Sequence, residues 1–239
     1  MGLGRQTQVL GRLLLAAAAV QAAPLASFVP TTKGLLPKLN GTGDPGHVAL
    51  TFDDGPDEQS TPAFLELLRQ HDVHATFFLL GQMCTRYPAM AQRIVDEGHE
   101  VAVHSWDHRN HLRHTPARTR DQLARTVDII ESQCGVRPRW FRPPYGALTT
   151  ADLVAARGLG LQTVLWTAWG KDWERKATPA SVLAQVQAGA VDGGTVLLHD
   201  SDCTSSPGSW RATLGALPGL IDWCRGHDLK VGTVGAHGL

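Results

Sequence analysis

The chain has 239 residues, 43% hydrophobic and 18% charged, with 22 basic against 22 acidic side chains and a formal net charge of zero. That balance suits one folded domain with a full core and leaves no basic surplus for a long polyanion, so a nucleic-acid partner is set aside. Cys84, Cys134, Cys203 and Cys224 form no CxxC pair and are too few for a disulfide scaffold, which excludes a cysteine-based zinc site and leaves buried or incidental thiols, or one disulfide in an exported chain.

Residues 1–30 read as a leader. Arg5 and Arg12 precede the apolar run Leu13 to Val20, and small residues follow at Val20-Gln21-Ala22, as in a secretory signal. Export, with the product secreted or associated with the cell envelope, is the expectation; a leader on a cytoplasmic protein is the alternative. Residues 31–46, rich in Gly, Pro, Thr and Lys, form an irregular approach segment. From His47 the pattern becomes periodic, and 47–239 is expected to be a single catalytic domain.

Apolar runs predict strands at 47–52, 74–80, 100–103, 139–142, 161–166, 194–198 and 230–234. Several are nearly continuous in Val, Leu, Phe and Thr, which suits parallel strands covered on both faces. Helices are predicted over 62–70, 88–97, 117–133, 150–157, 179–189 and 210–226. The first places Phe64, Leu67 and Leu68 on one face, with Thr61 as N-cap before Pro62; the third places Leu123, Val127 and Ile130 at helical steps. About seven βα alternations imply a parallel sheet, open or closed. Polar clusters follow five different strands: Asp53/Asp54, His104/His108, Arg142 to Gly146, Asp172/Trp173 and His199/Asp200. A distorted (β/α) barrel gathers those ends on one rim, whereas an open sheet spreads them in a line.

The clusters carry chemistry of a consistent kind. In TFDDGP, adjacent carboxylates repel unless a cation or arginine is near; a turn or cap is the ordinary alternative. His104 and His108 in HSWDH are four residues apart and can share a divalent metal, although an HxxxH by chance is not rare among 11 histidines. One carboxylate plus two imidazoles leaves coordination positions for water and substrate. In RPPYG, two prolines and Gly146 make a rigid turn that can aim a backbone N–H at a developing oxyanion, and Arg142 can hold a carboxylate ionised. His199 in LLHD can act as a general acid, or be structural.

With TFDDGP, HSWDH, RPPYG, Asp172-Trp173 and LLHD in this order, the chain resembles the NodB-homology polysaccharide deacetylases, carbohydrate esterase family 4, from about His47 to about Val234. The resemblance implies a distorted (β/α) barrel of about seven parallel strands and a metal-dependent hydrolase that removes N-acetyl groups from GlcNAc-containing glycans such as peptidoglycan, chitin or chitooligosaccharides. It implies Asp53 as general base, Asp54, His104 and His108 as metal ligands, and Arg142 as the residue orienting the base. It also implies Tyr145 as a backbone oxyanion donor in contact with substrate, His199 as general acid and Asp172 as its carboxylate partner. Trp173 and Leu197 would surround the acetyl methyl. Zinc is the default metal for such a ligand set, with cobalt, nickel or manganese as alternatives. Trp169 stands where many members carry Asp, which leaves substrate preference open; Trp106 and Trp169 suit sugar stacking and simple packing equally. O-deacetylation of a xylan-type polysaccharide, hydrolysis of a small amide or imide, and a non-catalytic carbohydrate-binding relic are the competing readings. His71, His74, His99, His111, His114, His227 and His237 match no ligand position and are expected on the surface or in structural roles.

Overall fold

A computed structural model describes residue 16, residues 18–24 and residues 34–239. The leader expected over residues 1–30 falls largely outside the described residues. No helix among those described is long and apolar enough to cross a membrane.

Eight parallel strands form one sheet: β1 (His47–Asp53), β2 (Thr76–Leu79), β3 (Glu100–Val103), β4 (Trp140–Phe141), β5 (Gln162–Thr163), β6 (Ala168–Trp169), β7 (Thr195–His199) and β8 (Lys230–Gly232). Their order is β5-β4-β3-β2-β1-β7-β6, with β8 paired to the first three residues of β1 and β2 to the last three. The end strands β5 and β6 are joined directly by residues 164–167. Val164 N–H donates to Phe141 O on β4, and Thr167 N–H to Thr195 O on β7, so this segment bridges the sheet's two ends and the strands curl into a distorted barrel.

All seven predicted strands are present, several shortened to two to four residues. β6 is additional. Over residues 34–239, seven α-helices cover the outside of the barrel: α1 (Thr61–Gln70), α2 (Gly81–Arg86), α3 (Pro88–Asp96), α4 (Pro116–Cys134), α5 (Thr150–Gly158), α6 (Pro179–Gly189) and α7 (Trp210–Gly226). The predicted face of α4 is buried through Leu123, Val127 and Ile130. On α1, Leu65 rather than Leu67 is fully buried beside Phe64 and Leu68. Thr61 is not the N-cap. It is the first helical residue, and its hydroxyl accepts from Asp57 N–H and donates to Asp200 Oδ2 at 2.5 Å, so a tertiary contact outcompetes local capping.

The pleat decides what enters the barrel. On β1, Val48, Leu50 and Phe52 join the large core beneath the helices, while Ala49 joins a small inner core with Phe78, Ala102, Trp140 and Val164. Thr51 and Asp53 share the parity of Ala49 and so face the interior. All four cysteines are free, and three are buried.

Candidate active site

Asp53 ends β1 inside the barrel and is 2% exposed. Arg142, fully buried just after β4, donates from Nη1 to Asp53 Oδ1 at 2.7 Å and to Thr51 Oγ1 at 2.8 Å. Its Nε and Nη2 reach Val164 O and Leu165 O, and the guanidinium lies 4.0 Å from the centroid of the Phe78 ring. Each of the three guanidinium nitrogens thus has a hydrogen-bond partner. Burial of such a charge is tolerable only with this pairing.

Asp54 follows with a positive φ of 79°, which turns its side chain away from that of Asp53. Its Oδ1 lies 3.5 Å from His104 Nε2 and 3.3 Å from His108 Nε2. His104 Nδ1 is 2.8 Å from the backbone carbonyl of Arg142, and a carbonyl can only accept. His104 Nδ1 therefore carries the proton, and Nε2 presents a lone pair toward Asp54. Burial pushes the His104 pKa down to about 4, against the pull of Asp53 and Asp54, which keeps the ring neutral at neutral pH. A lone pair thus faces a carboxylate oxygen that is buried and has no hydrogen-bond partner. This arrangement lacks a positive centre, and Asp54, His104 and His108 offer ligand atoms all within 4.8 Å of one another. The donor set fits a divalent cation with positions left open for exchange. Burial would raise the Asp54 pKa, but His108, His199, His104 and a hydrogen bond from Thr204 Oγ1 together hold it below its ordinary value.

His199 ends β7. Its Nδ1 lies 2.9 Å from Asp172 Oδ1, and its backbone N–H donates to Asp172 Oδ2 at 2.7 Å, as does Thr213 Oγ1. Burial favours the neutral imidazole, but Asp172, by charge and hydrogen bond, and then Asp54 and Asp53 outweigh it and raise the pKa to about 10. The ring is a cation at neutral pH. Trp173 stands edge-on to it at 5.6 Å, and Trp169 and Trp166 continue the aromatic wall at 5.3 and 5.9 Å. These tryptophans, with Leu197, Tyr145, Gly146, Asp53, His104, His108 and His199, line a cavity of about 250 Å³. Tyr145 sits on its rim with a left-handed φ of 60° and is 62% exposed.

The structure therefore brings Asp53, Asp54, His104, His108, Arg142, Tyr145, Asp172, Trp173, Leu197 and His199 into one place. Trp106 is elsewhere: it packs under the Arg125 guanidinium, 3.9 Å from the centroid of the Trp106 ring, and lies against Gly81 where any Cβ would collide. Packing is its role. Trp169 does face the cleft.

Two supports escape a sequence reading. Thr204 binds the Asp54 oxygen that faces away from the imidazoles. Beneath the ligand loop, Ser105 Oγ is 2.8 Å from His111 Nε2, and His111 Nδ1 is 2.5 Å from Asp152 Oδ1; all three residues are fully buried. Asp152 Oδ2 accepts from Thr149 at the start of α5, a capping box. The Thr149-x-x-Asp152 spacing is the one local signal of this tie. It anchors a loop in which Ser105 and His108 both hold positive φ.

Residues 40–164 match the sequence profile of the family described as polysaccharide deacetylase. The chain is 36% identical over 191 residues to peptidoglycan-N-acetylglucosamine deacetylase PgdA of Listeria monocytogenes, a match covering 77% of this chain and 40% of that protein. It therefore spans well under half of that relative's length. It is 38% identical over 187 residues to a chitooligosaccharide deacetylase of Bradyrhizobium, covering 72% of this chain and 84% of that one. A carbohydrate esterase 4 pseudoenzyme from Bacillus anthracis superposes with a TM-score of 0.74 at 31% identity, covering 81% of this chain and 66% of that one. Since the same fold serves a pseudoenzyme, the case for activity rests on the residues in the cleft.

Proposed function

The chain belongs to the polysaccharide deacetylase family, and on that premise we propose that it hydrolyses N-acetyl groups on GlcNAc-containing glycans of the peptidoglycan or chitooligosaccharide kind. One observation carries the reading: the buried, unpartnered Asp54 oxygen opposite two imidazole nitrogens, beside a carboxylate held by arginine. A cation held there by Asp54, His104 and His108 would supply Lewis acidity, acidifying a water and polarising the acetyl carbonyl. Zinc suits two imidazoles and a carboxylate best.

Asp53 is the general base. Arg142 occupies its Oδ1, which leaves Oδ2, 3.7 Å from His104 Nε2, free to take the proton of the attacking water. The backbone N–H of Tyr145 stabilises the tetrahedral oxyanion. His199, with Nδ1 committed to Asp172, donates from Nε2 to the departing nitrogen, so the products are acetate and a free amine. Trp173 and Leu197 exclude water around the acetyl methyl. A peptidoglycan-type substrate would call for a secreted or envelope-associated enzyme, which is the localisation proposed here and agrees with the basic-then-apolar pattern of residues 5–20.

The test is acetate release from zinc-loaded protein over N-acetylated and O-acetylated glycans. Release from N-acetylated oligomers is expected, and Asp53→Asn should lower kcat by about a hundredfold to ten-thousandfold. Full activity in that variant would remove Asp53 as the base. Release from O-acetylated glycans alone would turn the reading to an esterase.

A further inference from the structure

A second groove of about 610 Å³ opens beside the cleft, and His108 and Tyr145 line both. Its wall carries Arg109, Arg113 and Arg118 and no carboxylate. In a chain with zero net charge, that is a local concentration of one sign. Asp107 lies just behind and is shared: its Oδ2 is 3.5 Å from Arg109 Nε and 3.4 Å from Arg118 Nη2. Arg113 is exposed and has no acidic partner among the described residues. Three guanidiniums therefore face one carboxylate, and the surplus is positive. Asn110 adds a neutral donor, because its Oδ1 is committed to Leu112 N–H and its amide nitrogen is not.

The opposite side of the cleft is aromatic, through Trp166, Trp169 and Trp173. The two sides ask for different chemistry. The tryptophans offer stacking to a sugar face. The arginine forks match a planar carboxylate in two-point, charge-assisted contact, whereas an uncharged sugar offers them only single neutral acceptors.

We propose that the groove of Arg109, Arg113 and Arg118 is a subsite for a carboxylate on the sugar adjoining the one that loses its acetyl group. The inference rests on the deacetylase reading above and narrows it to an acidic amino-sugar polymer, with the chain running from the tryptophan wall over Tyr145. Arg113 is the specificity-determining residue, since its charge is not already spent on Asp107.

The experiment compares three oligomers of equal length: neutral β-1,4-linked N-acetylglucosamine, a peptide-free oligomer in which alternate N-acetyl sugars carry an ether-linked carboxylate, and that oligomer with the carboxylate reduced to an alcohol. Wild type should favour the carboxylate over its alcohol by about tenfold in kcat/KM, a preference that falls with added salt. Arg113→Gln should bring the ratio near one while the neutral oligomer stays within about twofold of wild type, and Arg113→Lys should keep part of the preference. A wild-type ratio near one, or an equal loss on all three oligomers in Arg113→Gln, would overturn the subsite. Calorimetric binding of the carboxylate and alcohol forms reads the groove independently of turnover. If binding shows the preference and no acetate appears from any oligomer, the subsite stands and the deacetylase reading falls.

Discussion

Arg142 gives Asp53 a guanidinium partner at 2.7 Å, whereas Asp54, one residue on, meets imidazole nitrogens and the Thr204 hydroxyl. The difference comes from backbone geometry: extended β1 aims Asp53 inward, and a left-handed φ swings Asp54 toward the histidine loop. Replacing Arg142 by Met should therefore hurt twice. It strands a buried carboxylate, at a cost of roughly 3–5 kcal/mol of stability, read from urea denaturation. It also frees the base to rotate, read as lost kcat. Asp172→Asn probes the other side. Asp172 heads the interactions that raise the His199 pKa to about 10. With that charge removed, the alkaline limb of the kcat/KM profile should descend toward the ordinary histidine value of about 6.5. A limb that stays in place would show that His199 is not the acid.

The loop from β3 to α4 shows how far sequence alone reaches. The strands were legible because burial on both faces leaves an apolar run, and the site was legible because its side chains follow strand ends in recognisable clusters. What was illegible is short or three-dimensional. β6 is two residues, Ala168 and Trp169, too few for any period to register. Trp106 and Trp169 have the same chemistry, and only the placement of Arg125 and Gly81 assigns the first to packing. His111 matched no ligand position, yet it ties the ligand loop to α5 across 41 residues of sequence through Asp152. His111→Ala should leave the ligands in place but loosen them, weakening zinc affinity by about tenfold in a chelator competition. Ser105→Ala, which removes only the link to the loop, should reproduce part of that loss while leaving the His111–Asp152 pair intact. Unchanged affinity in both would reduce the network to plain core packing.

At the scale of the whole molecule, the buried histidines set opposing pH dependences. Burial lowers His99 and His104 to about 4, so between about 4 and 6.5 the unfolded chain binds protons that the native one refuses. Stability is lost as pH falls through that window, by roughly 1.4 kcal/mol per pH unit for each group. His199 has the reverse sign. Its raised pKa contributes stability that is complete below about 6.5 and lost as pH rises through about 10. The metal-free protein should thus be most stable near neutrality, with lower unfolding midpoints in urea at about pH 5 and about pH 9. Saturating zinc at about a hundred times its Kd should add about 2.7 kcal/mol, a calorimetric Tm rise reversed by a chelator. The seam between β5 and β6 carries a last consequence. Arg142 binds Val164 O and Leu165 O across it while holding Asp53, so one side chain is both the clasp of the barrel and the partner of the base. Loosening the clasp and disarming the base are then one event. Amide hydrogens of residues 164–167 should exchange with solvent faster whenever Asp53 is neutralised, so a measurement of backbone opening made without substrate would report the readiness of the chemistry.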